Sequence, residues 1–220
     1  MFNGGDNGWG RQTWEVATHT KDSITFLLFD RMWNGFPGIN AACLTHTVTP
    51  YEWKIAFGVT PLIKAGPLDL SQTVFFNLDG FIRPDNHQSS TILNHSLHIP
   101  RAGMRFATDE QGVATGDLLA NRQGREYDFW STASRTVGDG LRQKPELPRH
   151  CKPAGGRGCG YDETFLLSGD RGMQPSAVLS SARSGISMEL YADRDAVHVH
   201  TWNEPDGELG MSCLVWHDGC

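Results

Sequence analysis

Glycine and proline interrupt this sequence so often that few of the runs between them are long enough for a helix. The 25 glycines and 11 prolines make up about a sixth of the chain, and both residue types break regular elements and favour turns. Short runs separated by turns are typical of strands, whose average length is about five to six residues. The chain is therefore predicted to be all-β.

Several of the runs alternate between apolar and polar residues, as expected of strands with one buried face. They are also rich in β-branched and aromatic residues, which are enriched in strands. No comparably long run shows the 3.6-residue period of a helix. Eight segments are predicted as strands: 23–29, 41–49, 53–59, 70–78, 92–99, 177–179, 185–191 and 197–202.

The segment from Leu70 to Leu78 has two different faces. Alternation places mostly apolar residues on one face, whereas Ser71, Thr73, Phe75 and Asn77 fall on the other. A polar and aromatic surface of this kind is typical of sugar pockets, where rings stack and side-chain dipoles meet hydroxyl groups. The alternative is an ordinary half-buried strand with one solvated face. Residues 77–80, NLDG, predict a turn after it.

Charge and composition restrict the classes of partner. The formal net charge is −6 and basic residues form no run, which argues against a nucleic-acid or membrane partner and favours a small neutral ligand. No stretch is long enough to span a membrane, and the first residues lack the features of a secretory signal. We expect a soluble, cytoplasmic protein with a single domain over residues 1–220; two domains are the alternative.

The glycine-rich segment and the cysteines do not predict any particular chemistry. Residues 138–160 are rich in Gly, Pro and basic residues and are predicted to form a long surface loop, with a domain linker as the alternative. Residues 155–160, GGRGCG, lack the GK[ST] ending of a phosphate-binding loop. The five cysteines show no CxxC spacing, so free thiols are expected. Residues from 208 onward offer little that would complete a sheet.

Three residues are candidate ligand contacts. His198 and His200 lie two apart in a predicted strand and so share a face. They could bind zinc if a third ligand came from elsewhere, such as His46 or His217, but none is identifiable, and a pocket wall or exposed strand face without metal is favoured. Asp162 could accept hydrogen bonds from two sugar hydroxyls, with Tyr161 beside it, or could cap a turn.

Segments spread over residues 3–207 resemble, in the same order, the motifs of the aldose 1-epimerase (galactose mutarotase) family, in particular its fungal members. Because the matching segments follow the family's order over most of the chain, the resemblance is more specific than a match to any single motif would be. The matching segments are 3–5 with Trp9 and Trp14 (HGG…G[FW]…W), 35–38 (GFPG), 70–78 (LTNHxYFNL), 93–95 (L[DN]H), 160–162 (G[YF]D), 184–188 (SG…LEV) and 197–203 (GVQFYTGN).

The resemblance implies an antiparallel β-supersandwich, incomplete at both ends, because the chain begins at the HGG segment and the family's E-T-Q-like segment is not found before Cys220. It also implies a sugar-binding cleft and a reaction without cofactor that interconverts the α and β anomers of a hexose. In that reaction a carboxylate takes the proton of the anomeric hydroxyl, and a histidine protonates the ring oxygen.

The same resemblance assigns site residues. Thr73 falls at the position of the family's acid histidine and His198 at that of a sugar-contacting glutamine, so these two are the candidate catalytic residues. The family's glutamate base has no counterpart. The candidate substrate-binding residues are Asp162, Asn3, Gln72, Phe75 and His200.

Three functions follow from these departures. The first is an active epimerase in which His198 or His200 takes over proton transfer. The second is a sugar-binding relative without activity, since the loss of the acid and the loss of the base should each lower the reaction rate by about a hundredfold to ten-thousandfold. The third is the same fold reused for a non-sugar small molecule, because fold does not fix function. The oligomeric state is not predicted.

Overall fold

The structure is a computed structural model, and its contacts divide the chain into two compact units, Met1–Leu70 and Ser71–Cys220. Among the described residues no helix is long and apolar enough to cross a membrane. The described residues are 7–32, 38–66, 68, 70–80, 91–109, 112–132, 135–143, 160–169 and 174–201, together with the backbone of 214–218.

The first unit contains a four-stranded antiparallel sheet in which each strand pairs with the next along the chain. Short polar turns join the first strand to the second and the third to the fourth. They are closed by hydrogen bonds from the Thr20 amide to the Ser23 carbonyl and from the Thr49 amide to the Glu52 carbonyl. Thr25 and Thr45, which are opposite each other in register, hydrogen-bond through their hydroxyls at 2.9 Å. The strands are β1 (Glu15–His19), β2 (Ser23–Arg31), β3 (Ile39–Val48) and β4 (Trp53–Pro61).

The second unit contains two antiparallel sheets, one of six strands and one of three. The strands are β5 (Thr73–Phe76), β6 (Ser96–His98), β7 (Met104–Thr108), β8 (Ala114–Ala120), β9 (Asp162–Leu166), β10 (Ala177–Ser180), β11 (Ser187–Leu190), β12 (Ala196–His200) and β13 (Leu214–Asp218). The strand order is β5-β13-β12-β9-β7-β8 in the larger sheet and β11-β10-β6 in the smaller one, so strands distant in sequence become neighbours.

Residues from both sheets of the second unit form one hydrophobic core. The aromatic rings of Tyr161 and Phe165 both make edge-to-face contacts with Phe129, with ring centroids 5.0 and 6.0 Å apart. Burial of such rings contributes much of the stabilisation of a core. The largest fully buried side chains are those of Ile92, His95, Leu97, Ile99, Phe129, Val137, Tyr161, Phe165, Leu179, Val197 and Val199.

The all-β prediction is confirmed. The eight predicted strands correspond to strands of the structure, although residues 92–94 form a 3₁₀ turn before β6, and β5 is shorter than its predicted segment. The predicted turn is present, because the Gly80 amide donates to the Asn77 carbonyl and Gly80 has φ +69°. Five strands were not predicted: β1, β7, β8, β9 and β13.

Two predictions about irregular segments were wrong in part. The predicted loop begins instead with a short helix, α1 (Val137–Leu141). Thr136 and Asp139 start this helix with a capping box, in which each side chain bonds the other residue's backbone amide. The segment after residue 208, which was expected to add no strand, contains β13. Residues 144–159, with the glycine-rich GGRGC part, lie outside the described residues.

Candidate functional site

The register between β9 and β12 brings together residues that are far apart in sequence. Asp162 lies opposite His200, and Thr164 lies opposite His198. Since residues opposite each other in an antiparallel pair share a face of the sheet, all four belong to one face. On the other face, Phe165 of β9 and Val197 and Val199 of β12 are buried in the core.

A single carboxylate oxygen connects the two histidines. Asp162 Oδ1 lies 2.9 Å from His198 Nε2 and 3.1 Å from His200 Nδ1. His198 Nδ1 lies 2.9 Å from the hydroxyl oxygen of Thr164. The two imidazole rings are nearly parallel, with an interplanar angle of 23°. We call Asp162, Thr164, His198 and His200 the carboxylate–histidine cluster.

The hydrogen bonds fix the charge of Asp162. The bonds from His198 and then His200 hold the pKa of this carboxyl well below its usual range, and they outweigh partial burial, which acts in the opposite direction. A carboxylate only accepts hydrogen bonds, so His198 Nε2 and His200 Nδ1 both donate to it. When the His198 ring is neutral, its Nδ1 accepts a hydrogen bond from the Thr164 hydroxyl.

The cluster is accessible from solvent. The Asp162 side chain is 62% exposed, and those of His198 and His200 are 23% and 27% exposed. A ligand could therefore approach the carboxylate and both rings from one side of the sheet. These three residues were predicted from the sequence as site residues, and the structure brings them together.

Thr73 and Phe75 lie in β5, which is separated from β12 by β13. Thr73 is opposite His217 and Phe75 is opposite Val215, and these two positions of β13 are in turn opposite His198 and His200. Two strand spacings correspond to about 10 Å, so Thr73 does not hydrogen-bond the cluster directly. Phe75 is 45% exposed and presents an aromatic ring to a ligand on this part of the sheet.

The other predicted site residues are less closely connected. Gln72 precedes β5, and its side-chain amide donates to the Thr73 carbonyl at 3.2 Å. Asn3 lies outside the described residues. His46, which was one possible zinc ligand, belongs to the first unit, where it stacks on Trp53 and accepts a hydrogen bond from the Trp53 indole at 3.1 Å.

Two neighbours of Asp162 are directed away from the cluster. Tyr161, the residue before Asp162, is fully buried, and its hydroxyl donates to the Glu126 carbonyl at 2.6 Å. Glu163 lies 3.6 Å from Arg105 in an ion pair. As adjacent residues of an extended strand point to opposite faces, Asp162 and Glu163 are not an acid and base pair.

Sequence reasoning missed Thr164 and the position of β13. Thr164 carries no motif of its own, and its contact with His198 depends on the β9–β12 register. β13 reads LVWHD and pairs with both β12 and β5, so a strand is present where the sequence was expected to offer none. It contains no glutamate. Among the described residues, the carboxylate that hydrogen-bonds both histidines is that of Asp162.

Comparisons with known proteins agree with this architecture. In solved structures, the chain is similar to a galactose mutarotase-like protein from Lactobacillus casei ATCC 334, with a TM-score of 0.62 and 15% sequence identity. The likeness covers 96% of this chain and 63% of that one. The predicted galactose mutarotase-like β fold is thereby confirmed.

Sequence comparison gives closer relatives. The chain is 50% identical to a protein named Epimerase FSL3 from Gibberella zeae, over 96% of this chain and 51% of the relative. It is 27% identical to the aldose 1-epimerase of Escherichia coli strain K12, over 92% of this chain and 54% of the relative. The chain thus spans about half the length of the curated relatives it matches. The family model described as Aldose 1-epimerase matches residues 3–218, and the chain belongs to that family.

Proposed function

We propose that this chain catalyses the cofactor-free interconversion of α and β anomers of a hexose, with the carboxylate–histidine cluster as its acid and base. The observation that carries the proposal is the Asp162 carboxylate, which accepts hydrogen bonds from two exposed imidazoles on one face of the sheet. Family membership supports the class of reaction. The cluster supplies ionisable groups, whereas the Thr73 hydroxyl is too weak an acid to transfer a proton.

His200 is the better candidate for proton transfer. His198 has both ring nitrogens in hydrogen bonds within the cluster, to Asp162 and to Thr164. His200 bonds Asp162 through Nδ1 at 3.1 Å, and its side chain is 27% exposed against 23% for His198, so we propose that its Nε2 exchanges a proton with a ligand. A carboxylate on one nitrogen orients the ring and fixes its tautomer, as in other carboxylate–histidine pairs.

The proposed steps balance protons between two sugar oxygens. His200 Nε2 accepts the proton of the anomeric hydroxyl as the bond between the anomeric carbon and the ring oxygen breaks. The protonated His200 ring gives this proton to the ring oxygen, and the open-chain aldehyde forms. Rotation about the bond to the aldehyde carbon, followed by the reverse transfers, closes the ring on its other face. Asp162 and His198 are positioning residues, and Phe75 offers a ring on which the sugar can stack.

NMR and polarimetry of freshly dissolved α-glucose or α-galactose, with a chelator present, test the proposal. The wild-type chain should speed anomer exchange above the buffer rate. His200→Gln should lower the catalysed rate by about a hundredfold to ten-thousandfold, because it removes a general acid–base group. Thr73→Val should change it by less than about threefold, since a hydroxyl is too weak an acid to deliver a proton.

Matched controls lie at exposed strand positions that do not belong to the cluster. His19→Gln in β1 and Asp117→Asn in β8 alter exposed side chains and should leave the rate unchanged. A wild-type rate equal to that of the buffer would reject the proposed activity. An unchanged rate in His200→Gln would reject His200 as the transferring group.

A second candidate is a sugar-binding relative without turnover. It is favoured by Thr73 at the position of the family acid and by the absence of a glutamate from the β13 sequence LVWHD. Calorimetric titration with hexoses distinguishes the two: binding without anomer exchange would select the binding protein. Binding of an apolar metabolite but of no sugar would instead select reuse of the fold, in agreement with the exposed Phe75 ring.

A further inference from the structure

We propose that Asp162, His198 and His200 bind one divalent transition-metal cation of the zinc type. The inference goes beyond the proposed anomer exchange and departs from the sequence-based expectation of no metal. From the sequence, two histidines on one strand lacked a third ligand. The structure supplies it from the neighbouring strand, because Asp162 is opposite His200 in register.

The donor atoms are already close to a coordination geometry. One ligand atom from each of the three residues lies within 4.8 Å of the others. Asp162 Oδ1 is 2.9 Å from His198 Nε2 and 3.1 Å from His200 Nδ1. Zinc lies about 2.0–2.2 Å from nitrogen and oxygen ligands, so tetrahedral ligands are about 3.3 Å apart. Small side-chain movements would therefore be sufficient.

The surroundings of His198 fit a metal ligand. Metal-bound histidines usually donate the second ring N–H to an oxygen, which fixes the tautomer and the ring orientation. With a cation on Nε2, the ring proton of His198 moves to Nδ1 and is donated to the Thr164 hydroxyl oxygen 2.9 Å away. In His200, which would bind through Nδ1, the ring proton moves from Nδ1 to Nε2. The two hydrogen bonds to Asp162 are thus exchanged for metal bonds, and the hydrogen bond between His198 and Thr164 is kept with its direction reversed.

The chemistry of the donors indicates which cation binds. Two imidazole nitrogens and one carboxylate suit zinc and neighbouring first-row metals, whereas magnesium and calcium prefer all-oxygen sites. Three protein ligands leave a position for water or a ligand, and the partial exposure of the cluster gives solvent access to that position.

Titration of the chelator-treated chain with Zn²⁺ alone tests the proposal without depending on turnover. Calorimetry should show one site per chain. Asp162→Asn, His198→Gln and His200→Gln should each weaken binding by more than the roughly tenfold to hundredfold typical of a lost outer hydrogen-bond partner. Thr164→Val should weaken Zn²⁺ binding by only about tenfold to hundredfold, because it removes an outer hydrogen-bond partner. Thr164→Ser, which keeps the hydroxyl, should have the wild-type affinity.

Two controls keep the result interpretable. His19→Gln and Asp117→Asn should bind Zn²⁺ as the wild type does. In the wild-type chain, NMR signals of the His198 and His200 rings should shift on addition of Zn²⁺, which reports the site even if a variant fails to fold. Absence of binding, ring signals that do not move, or equal affinity in wild type and the three ligand variants would each overturn the proposal.

Discussion

Tyr161 and Asp162 are neighbours in the chain but have opposite environments. The Tyr161 ring is fully buried, and its hydroxyl donates to the Glu126 carbonyl. Burial raises the pKa of this phenol far above its usual range. Asp162 begins β9 on the exposed face. One residue of the family-like segment 160–162 therefore stabilises the core, and the next is available to a ligand.

Gly140 in α1 should tolerate no side chain. A Cβ atom added there would overlap the Tyr161 hydroxyl and lie 2.8 Å from the Glu126 carbonyl oxygen. Alanine usually stabilises a helix relative to glycine by about 0.5–1 kcal/mol, but we expect the overlap to outweigh this gain. Gly140→Ala should lower the free energy of unfolding by about 1–3 kcal/mol.

Urea denaturation measures this effect. Gly103→Ala is the matched control, because a Cβ atom at Gly103 meets no atom within 4 Å. It should unfold at nearly the wild-type urea concentration. A Gly140→Ala chain as stable as the wild type would show that α1 can move away from Tyr161.

Sequence patterns identified the individual residues of the site better than their arrangement. Alternation placed His198 and His200 on one face, and the family-like segment identified Asp162. Neither pattern indicated that Asp162 would be opposite His200, because the register of β9 and β12 depends on pairing between distant segments. Thr164 could not be predicted for the same reason.

At the scale of elements, locally strong patterns predicted strands and weak ones did not. The hairpin strands β2, β3 and β4 are long, rich in β-branched residues and paired with sequence neighbours. By contrast, β9 and β13 are five residues long; β9 pairs with the distant β7 and β12, and β13 pairs with the distant β5 as well as with β12. Strand formation in such segments depends on cross-strand packing more than on intrinsic preference, so sequence reasoning missed them.

Proline in β13 should disrupt the six-stranded sheet. Since β13 has β12 on one side and β5 on the other, its backbone N–H groups donate to one neighbour or the other. Val215→Pro removes one of these donors and should lower the free energy of unfolding by about 1–3 kcal/mol or more. Hydrogen exchange should show faster exchange of amides in β5.

Val215→Thr is the control, because threonine retains the β-branched shape and the backbone donor. It should keep the amide protection of β5 close to that of the wild type. Equal protection of β5 in Val215→Pro would contradict the pairing of β13 with β5.

At the scale of the whole molecule, family membership covers residues 3–218, whereas the matched relatives are about twice as long as the aligned region. The structure contains two compact units. The single domain predicted over residues 1–220 stays a prediction, because grouping by contacts does not test whether the units unfold together. Cooperative unfolding is a property of the whole chain that local sequence patterns do not report.

Acid should destabilise the folded chain through carboxylates with lowered pKa values. Burial alone would raise the pKa of Asp128, but hydrogen bonds from Ser131 and the Gly124 amide lower it overall. Hydrogen bonds from Thr136 lower the pKa of Asp139, and those from the two histidines lower that of Asp162. A carboxyl with a lowered folded pKa adds stability above its unfolded pKa and loses it as pH falls through the folded pKa.

Unfolding in urea at about pH 6 and about pH 3 measures this loss, which should begin below about pH 4. Asp128 is 1% exposed, so Asp128→Asn should reduce stability at the higher pH by about 1–3 kcal/mol and should show a smaller fall between the two pH values. Asp117→Asn, at an exposed position, should keep the wild-type difference. An undiminished fall in Asp128→Asn would exclude Asp128 as a source of the acid sensitivity.

The order of strands in the larger sheet also determines when that sheet can form during synthesis. β5 is the first strand of the second unit, but it pairs with β13, the last strand described. Until the β13 segment leaves the ribosome, β5 has no partner in this sheet, and its exposed Phe75 belongs to an unpaired strand. Nascent chains should therefore depend on protection from aggregation in the interval between synthesis of β5 and synthesis of β13.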